Sequence, residues 1–329
     1  MFRWFGIGGL CLLVAAAFTA SLMYGIVHIP AVTVWNAFID FDGSMEQLII
    51  RDIRLPRALI ALMVGSSLAI AGTIMQALSR NALAGPDLLG VNNGAALAAV
   101  IMIFLLHYSS LQLYIWSAFL GAGAAGLTVF LLGSMGSGRL TPTRLVLAGA
   151  TLNLLLAALT QGVLILNQQS MDTMRFWLAG SLTGRDMGLF LQVLPYMLVG
   201  TMAALMMGRS LNLISLGEEV AGGLGQRVVA SKIVLIGIVM LLAGSSVAIA
   251  GPIGFIGLAV PHIARAIVGS NHYWLVPYSA CLGAALLLIA DVAARFVLPG
   301  QEIPVGVVTV FLGAPLLIYL TQAKEVASP

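Results

Sequence analysis

Only a few polar residues in this chain have the type and spacing that chemistry within a membrane would need. Asp291 and Arg295 lie four residues apart in a long apolar run, so on a helix they share a face and can form an ion pair. A carboxylate at membrane depth can also couple transport to protons or sodium. Two interpretations of Asp291 therefore stay open, a structural ion pair and the coupling site of a secondary transporter.

The motifs of common hydrolytic and metal-dependent enzymes do not occur in the sequence. It contains no Gly-Lys dipeptide, hence no phosphate-binding P-loop, and no His-Glu-x-x-His, Cys-x-x-Cys or Gly-x-Ser-x-Gly. We therefore predict no catalytic residues, no metal site and no enzymatic activity in this chain. A net charge of only +3, without a basic run, predicts no nucleic-acid binding.

Two arginines, Arg54 and Arg57, flank a Leu-Pro pair immediately before the apolar run 58–78. Proline is favoured in the first turn of a helix, and residues three apart lie on one helical face. From the residues alone, this pair predicts an anchor at the membrane interface.

A small and polar stripe runs along the segment 145–166. Its members recur every four residues and are Gly149, Asn153, Ala157 and Gln161. Amide side chains facing lipid would be costly, so the stripe must face protein or water. Interhelical hydrogen bonding and the lining of a substrate path are both compatible with this pattern.

The polar segment 211–227 separates two apolar runs and predicts a short helix. Ser215 and Glu218 have the spacing of a capping box, and Gly225 suits a helix C-terminal stop. Apolar residues at helical spacing give the segment one apolar face, formed by Leu213, Leu216, Val220 and Leu224.

These segments belong to a chain of 329 residues that is 60% hydrophobic and 8% charged, with a mean hydropathy of +1.05. Soluble domains carry about 25% charged residues, so the composition predicts a polytopic helical membrane protein with an all-α fold. We predict one transmembrane domain over 1–329 with about ten spans. Eight apolar runs are long enough to cross a bilayer: 4–27, 58–78, 89–107, 111–132, 145–166, 189–207, 233–250 and 274–297. Two shorter ones are 253–268 and 305–320.

Ten spans place both termini on the same side of the membrane. Lys and Arg are more frequent in the loops that become cytoplasmic when the N-terminus is cytoplasmic, and acidic residues lean to the other side. The positive-inside rule therefore predicts that both termini are cytoplasmic.

Four motifs in order and spacing resemble the FecCD family of binding-protein-dependent permeases, over about residues 54–320. They are the Arg-Leu-Pro-Arg sequence at 54–57, Arg-Asn-Ala-Leu-Ala-Gly-Pro-Asp-Leu-Leu-Gly-Val at 80–91, Gly-Pro-Ile-Gly-Phe-Ile-Gly-Leu-Ala-Val-Pro-His at 251–262, and Glu-Ile-Pro-Val-Gly-Val-Val-Thr at 302–309.

This resemblance implies a type II ABC importer permease fold in the bacterial cytoplasmic (inner) membrane. It also implies several partners: two ABC ATPase subunits, a second permease copy or a homologue, a substrate-binding protein and membrane lipid. ATP and magnesium would be bound by the ATPase, which leaves no cofactor in this chain. The transported ligand would be an iron–siderophore complex, since the segment 177–186 is more similar to siderophore permeases than to cobalamin permeases. Haem or cobalamin transport and ion-coupled transport through Asp291 remain the alternatives.

The resemblance also implies residue roles. Three arginines match positions that meet glutamates of the binding protein: Arg54, Arg57 and Arg295. The loop 211–227 matches the element that couples to the ATPase, with Ser215, Leu216, Gly217, Glu218, Glu219, Val220, Ala221, Gly222, Leu224 and Gly225 as the coupling residues. Relatives use the fifth span to line the substrate path, which makes Gly149, Asn153, Ala157 and Gln161 the pathway candidates.

Overall fold

The computed structural model describes residues 2–106, 111–135, 141–166, 168–298 and 301–326. Within them every extended element is helical, apart from one isolated bridge between Leu298 and Gln301, so the predicted all-α fold is confirmed. The first half of the chain forms α1 (Phe2–Met23), α2 (Ala31–Ile39), α3 (Met45–Leu48) running into a π-helical turn (Ile49–Arg54), α4 (Leu55–Ser79), a 3₁₀ turn (Pro86–Leu89), α5 (Val91–Leu106), α6 (Leu111–Ser134) and α7 (Pro142–Leu166). The second half forms α8 (Gln168–Leu178), α9 (Met187–Met206), α10 (Gly208–Ser215), α11 (Glu218–Gly223), α12 (Val228–Ala250), α13 (Ile256–Val268), α14 (His272–Ala294) and α15 (Val305–Val326).

The ten predicted apolar runs each correspond to a helix. The division into long and short helices differs from the predicted eight long and two short runs. Seven helical segments are long and apolar enough to cross a membrane, and three described apolar helices are shorter: 91–105, 256–268 and 305–315. The prediction counted 89–107 among the long runs, and residue 107 lies outside the described residues. The helix begins only at Val91, because Gly90 has a φ of 72° and ends the preceding 3₁₀ turn. Short apolar helices are tolerated at membrane depth where protein surrounds them.

Helix α4 forms the centre of the bundle. It packs on α12, α13 and α14, and most of its side chains are buried. Close approach of backbones at small residues is the usual way in which helices associate in lipid. A Cβ atom at Gly65 would overlap the backbone of Gly283 on α14, and one at Gly72 would overlap the backbone of Gly257 on α13. These contacts explain why glycine occurs at positions 65 and 72.

We expect Gly72→Ala to lower the free energy of unfolding by about 1–3 kcal/mol, since the added methyl group forces two backbones apart. Gly237→Ala is the matched control. Gly237 also lies in the middle of a helix, but a Cβ there has no atom within 4 Å, so stability should stay the same or rise by up to about 1 kcal/mol. Unfolding of both variants in mixed micelles gives the comparison. Equal stability of the two variants would contradict the close-packing role of Gly72.

The bundle has two ends, which α4 connects. At 1.5 Å per residue its 25 residues span about 37 Å. One end, called the arginine end below, carries Arg54, Arg57 and Arg295. The other, the coupling end, carries α10 and α11, since Gly217 between them lies next to Arg80 at the end of α4.

The segment after α4 returns into the bundle. Arg80 adopts a left-handed conformation (φ 49°) that ends α4, and Pro86 then packs on Gly257, beside the middle of α4. The motif segment 80–91 therefore contains a re-entrant turn that brings polar groups toward the centre of the bundle.

Candidate functional site

Four charged side chains form a buried network at the arginine end. The guanidinium group of Arg57 lies 2.9 Å from the carboxylate of Asp291 and 2.6 Å from that of Glu302. Arg295 lies 2.5 Å from Asp291, one helical turn away on α14. Asp291 has no exposed surface. Its negative charge is balanced by Arg57 on one side and Arg295 on the other, and arginine stays protonated in proteins. This geometry supports the structural interpretation of Asp291.

Arg54 and Arg295 also bind the C-terminal end of α1, where helix carbonyl groups lack intrahelical partners. Arg54 donates hydrogen bonds to three carbonyl oxygens, those of Leu22, Met23 and Val27. Arg295 donates to the carbonyl oxygens of Ser21 (2.8 Å) and Tyr24 (2.7 Å). The two arginines therefore fix the first helix against α4 and α14.

The three arginines of the docking prediction are brought together. Arg54, Arg57 and Arg295 all line one cavity of about 330 Å³, together with Gly25 and Glu302. Each of the three is only 5–6% exposed and already has hydrogen-bond partners within the chain. Docking of a binding protein on these residues stays a prediction, and in this conformation a partner would meet them through the cavity rather than on an open surface.

A second and larger cavity lies at the same end, beneath the segment 177–186. Its volume is about 430 Å³. Main-chain hydrogen bonds hold the segment, since Ser181 donates to the carbonyl oxygen of Ala250 and Gly306 donates to that of Gly180, each at 2.9 Å. The polar and aromatic residues lining it include Tyr114, Phe176, Trp177, Thr183, Arg185 and Glu302.

The polar stripe of α7 splits into two parts. Gly149 packs directly on the carbonyl group of Leu88. Asn153 donates a hydrogen bond to the backbone oxygen of Asp87 (2.8 Å) and accepts one from Asn93 (2.8 Å). The first half of the stripe therefore holds the re-entrant turn, as the interhelical interpretation expected.

The other two members of the stripe are more open. Ala157 is half-buried and Gln161 is exposed. The stripe thus runs from a packed glycine to an amide on the helix surface. The pathway role of these residues stays a prediction.

Asp87 is the polar group at the tip of the re-entrant turn. Burial raises the pKa of its carboxyl group from 3.8 to about 6, and a hydrogen bond from Asn92 works in the opposite direction. The side chain lies deep among the helices but keeps an exposed surface, so water screens part of this effect. Since the folded chain holds this proton more tightly than the unfolded chain, ionisation of Asp87 reduces stability as the pH rises from about 4 to about 6.

We therefore expect Asp87→Asn to be more stable than the parent chain above pH 6 and to lose this part of the pH dependence. Melting temperatures between pH 4 and pH 8 provide the measurement. Asp52→Asn, which removes an exposed carboxylate, serves as the control and should keep the parental profile. Parallel profiles for Asp87→Asn and the parent chain would refute the expectation.

The coupling segment consists of two helices rather than one. Gly217, with a φ of 115°, separates α10 from α11, and the predicted capping box does not form. The hydroxyl of Ser215 donates to the carbonyl oxygen of Asn212, while Glu218 pairs with Lys232 at 2.5 Å. The box cannot form in this register, because Ser215 is the last residue of α10 and Glu218 is the first residue of α11, with Gly217 as the N-cap.

The predicted stop at Gly225 is confirmed by its backbone geometry. Gly225 has a φ of 79°, its amide donates to Gly222, and the amide of Gln226 donates to Ala221. This is the hydrogen-bond pattern of a Schellman motif.

The apolar face of the coupling segment is open to its surroundings. Leu216, Val220 and Leu224 are 63%, 49% and 59% exposed, whereas the helices behind them are anchored by buried Leu211, Ile214 and Ala221. Exposed apolar side chains rimmed by polar residues are typical of protein-interaction sites.

Several residues that shape these sites were missed from the sequence. Lys232, Asn93 and Tyr114 have no local motif, and each acquires its partner only through the tertiary fold. Glu302 lies in a motif that was recognised, but its pairing with Arg57 spans 245 residues of sequence.

Comparison with known proteins agrees with this architecture. The model of the FecCD transport family matches residues 12–323. The chain is 44% identical over 322 residues to the ferric enterobactin transport system permease protein FepD of Escherichia coli (strain K12), covering 98% of this chain and 96% of the relative. It is 43% identical over 282 residues to the Fe(3+)-citrate import system permease protein YfmD of Bacillus subtilis (strain 168), covering 86% and 84%. A solved inward-facing structure assigned to the metal-chelate type of ABC transporter superposes with a TM-score of 0.86 at 30% identity, covering 96% of this chain and 98% of that one.

Proposed function

The chain belongs to the FecCD transport family, and on that premise we propose that it carries an iron–siderophore complex across the bacterial inner membrane by ATP-driven alternating access. It is a multi-pass permease and not itself an enzyme. The observation that carries the proposal is whole-chain similarity to permeases named for ferric enterobactin and Fe(3+)-citrate, combined with a matching helical architecture. A partner ATPase would supply ATP hydrolysis and bind ATP and magnesium.

The two ends of the bundle suit two different partners. We place the coupling end in the cytoplasm, where the exposed apolar face of α11 would enter a groove of the ATPase. The arginine end would then face outward, toward the substrate-binding protein. Acidic side chains of that protein entering the cavity formed by Arg54, Arg57 and Arg295 would orient it more than they would add affinity.

The substrate path would run between this chain and a second copy or a homologue, along α7. Gln161 and Ala157 have the exposure that a path-lining residue needs, while Asn153 holds the turn that carries Asp87. Movement of the coupling segment by the ATPase would shift the adjoining end of α4 through Arg80, and so the re-entrant turn.

Ion-coupled transport through Asp291 finds no support in the geometry. A relay carboxylate must exchange protons or sodium with water, whereas Asp291 is fully buried between two arginines. Haem and cobalamin stay alternatives from the sequence resemblance alone, whereas the relatives reported above are named for ferric enterobactin and Fe(3+)-citrate.

Purification in mild detergent followed by reconstitution tests the proposal. We expect an ABC ATPase to copurify with the chain, and proteoliposomes with an external binding protein to accumulate an iron chelate only when ATP is inside. An ATPase lacking its P-loop lysine is the control and should abolish accumulation. Uptake driven by a proton gradient without ATP would overturn the proposal.

A further inference from the structure

We propose that the cavity beneath the segment 177–186 is a binding site for an anionic aromatic group of the transported chelate, with Arg185 as its cation. The chemical class is an arene that carries negatively charged oxygen, such as a catecholate or an aryl carboxylate. The identification of the ligand as part of the cargo rests on the proposed function, whereas the anion site itself rests on the geometry of this chain.

Arg185 has fewer partners than the other buried arginines: Arg57 and Arg295 bind a carboxylate, and Arg54 donates to three carbonyl oxygens. It is 8% exposed, and its hydrogen bond goes to a neutral group, the hydroxyl of Tyr114. Among the residues that the structure describes, no carboxylate lies within 4.0 Å of its guanidinium group. Arg57 and Arg295, by contrast, both bind Asp291. A buried cation without a countercharge is costly, and an incoming anion removes that cost.

Two acidic residues, one adjacent to Arg185 in sequence and one in the lining of the cavity, bind other groups. Asp186, the next residue in the chain, caps α9 by accepting a hydrogen bond from the amide of Leu189 at 2.8 Å. Glu302 lines the same cavity, but its carboxylate accepts from Arg57 at 2.6 Å and from Thr183 at 3.2 Å. Neither carboxylate forms an ion pair with Arg185 in this conformation.

The remaining walls favour an aromatic ligand over an aliphatic one. Tyr114 and Trp177 meet edge to face at 6.1 Å, and the guanidinium carbon of Arg185 lies 5.5 Å from the Tyr114 ring centroid. Phe176, Met174 and Ile103 complete an apolar wall. A cavity of about 430 Å³ lies in the size range of small-molecule sites, in which a few polar groups orient an otherwise apolar ligand.

Two buried hydrogen-bond donors in the residues lining this cavity lack an acceptor in the described part of the chain. The indole nitrogen of Trp177 and the Nε of Arg185 have no hydrogen-bond partner among the described residues. Buried donors of this kind are rare, and a ligand oxygen reached by a small side-chain adjustment would satisfy them. This is the second observation, beside the unpaired charge, that indicates a ligand.

Equilibrium dialysis of the full-length chain in nanodiscs, with labelled 2,3-dihydroxybenzoate, tests the site. The neutral isostere 2,3-dihydroxybenzamide keeps the ring and the hydroxyl groups but lacks the charge. We expect benzoate to bind at least about tenfold more tightly than benzamide, and Arg185→Gln to abolish this preference, since a hydrogen bond to a charged acceptor is stronger than one to a neutral acceptor. Arg51→Gln removes an arginine outside the cavity and should bind benzoate within about twofold of the parent chain.

A second variant guards against misfolding of Arg185→Gln. Thr183 lines the cavity and is exposed, so Thr183→Phe should fold normally and obstruct the site, with a loss of benzoate binding. Equal binding of benzoate and benzamide, undiminished binding in either variant, or no binding by the parent chain would each overturn the inference. ATP-dependent chelate uptake without benzoate binding would leave the proposed function standing. Absence of ATP-dependent uptake would overturn that function and the assignment of the ligand to the cargo.

Discussion

Replacing Asp291 by asparagine is expected to lower the free energy of unfolding by about 3–5 kcal/mol, because it leaves two buried arginines without their shared countercharge. Arg57 would keep Glu302, but Arg295 would keep only neutral partners around Ser21 and Tyr24. Unfolding of the purified chain in mixed micelles measures the effect. Asp52→Asn, at an exposed carboxylate of the same end, should change stability by no more than about 0.5 kcal/mol.

A double variant separates a structural role of this network from a docking role. Arg57→Met combined with Asp291→Leu removes one charge of each sign, and the variant should regain part of the stability lost in Asp291→Leu alone, because only one of the two arginines, Arg295, is then left without a carboxylate. If Arg57 also docks the binding protein, the stable double variant should still show weakened association with that protein. A double variant no more stable than Asp291→Asn would show that the ion pair is not what makes the single substitution costly.

The substitution Val220→Asp is expected to reduce ATP-dependent uptake at least about tenfold while the chain still folds. Val220 is 49% exposed at the centre of the apolar face of α11, so the change places a charge where the proposed ATPase groove would exclude water. Loss of that contact by more than about 1.4 kcal/mol corresponds to a tenfold weaker association. Uptake by proteoliposomes and copurification of the ATPase are the two measurements.

The control at the same position is Val220→Ile, which keeps the apolar character and should retain both uptake and copurification. A melting temperature close to that of the parent chain in both variants confirms that the substituted residue is exposed. Normal uptake by Val220→Asp would show that α11 does not form the ATPase contact. The exposed surface of α10 would then be the next candidate for that contact.

Much of the fold was predictable because each span is a continuous apolar stretch that can be recognised from adjacent residues alone. An apolar run has no folded alternative in lipid to a helix, so the ten runs identified ten helices. The helix stop at Gly225 was also predictable from local sequence, because a Schellman motif depends on residues adjacent in sequence. The prediction of a capping box at Ser215 was wrong because the segment breaks at Gly217, which leaves Ser215 at the end of α10 and Glu218 at the start of α11.

The candidate sites were only partly predictable. Helical spacing showed that Arg54 and Arg57 share a face, but α4 is buried on almost every side, so a shared face did not distinguish a surface from an interior. The stripe on α7 was visible, whereas its hydrogen bonds to Asp87 and Asn93 depend on a re-entrant turn that no periodicity reveals. The absence of an acidic partner for Arg185 among the described residues could not be predicted, because it depends on where the tertiary fold places each carboxylate.

The bond between Arg57 and Asp291 joins residues that are 234 positions apart. At a synthesis rate of about 5–20 residues per second, α4 leaves the ribosome some ten to fifty seconds before α14 does. During that interval Arg57 has no Asp291 to pair with, and burying its charge in the bilayer without a partner would be costly. The ion network that stabilises the finished bundle therefore forms only after α14 has been synthesised, and α4 cannot reach its final depth in the membrane before then.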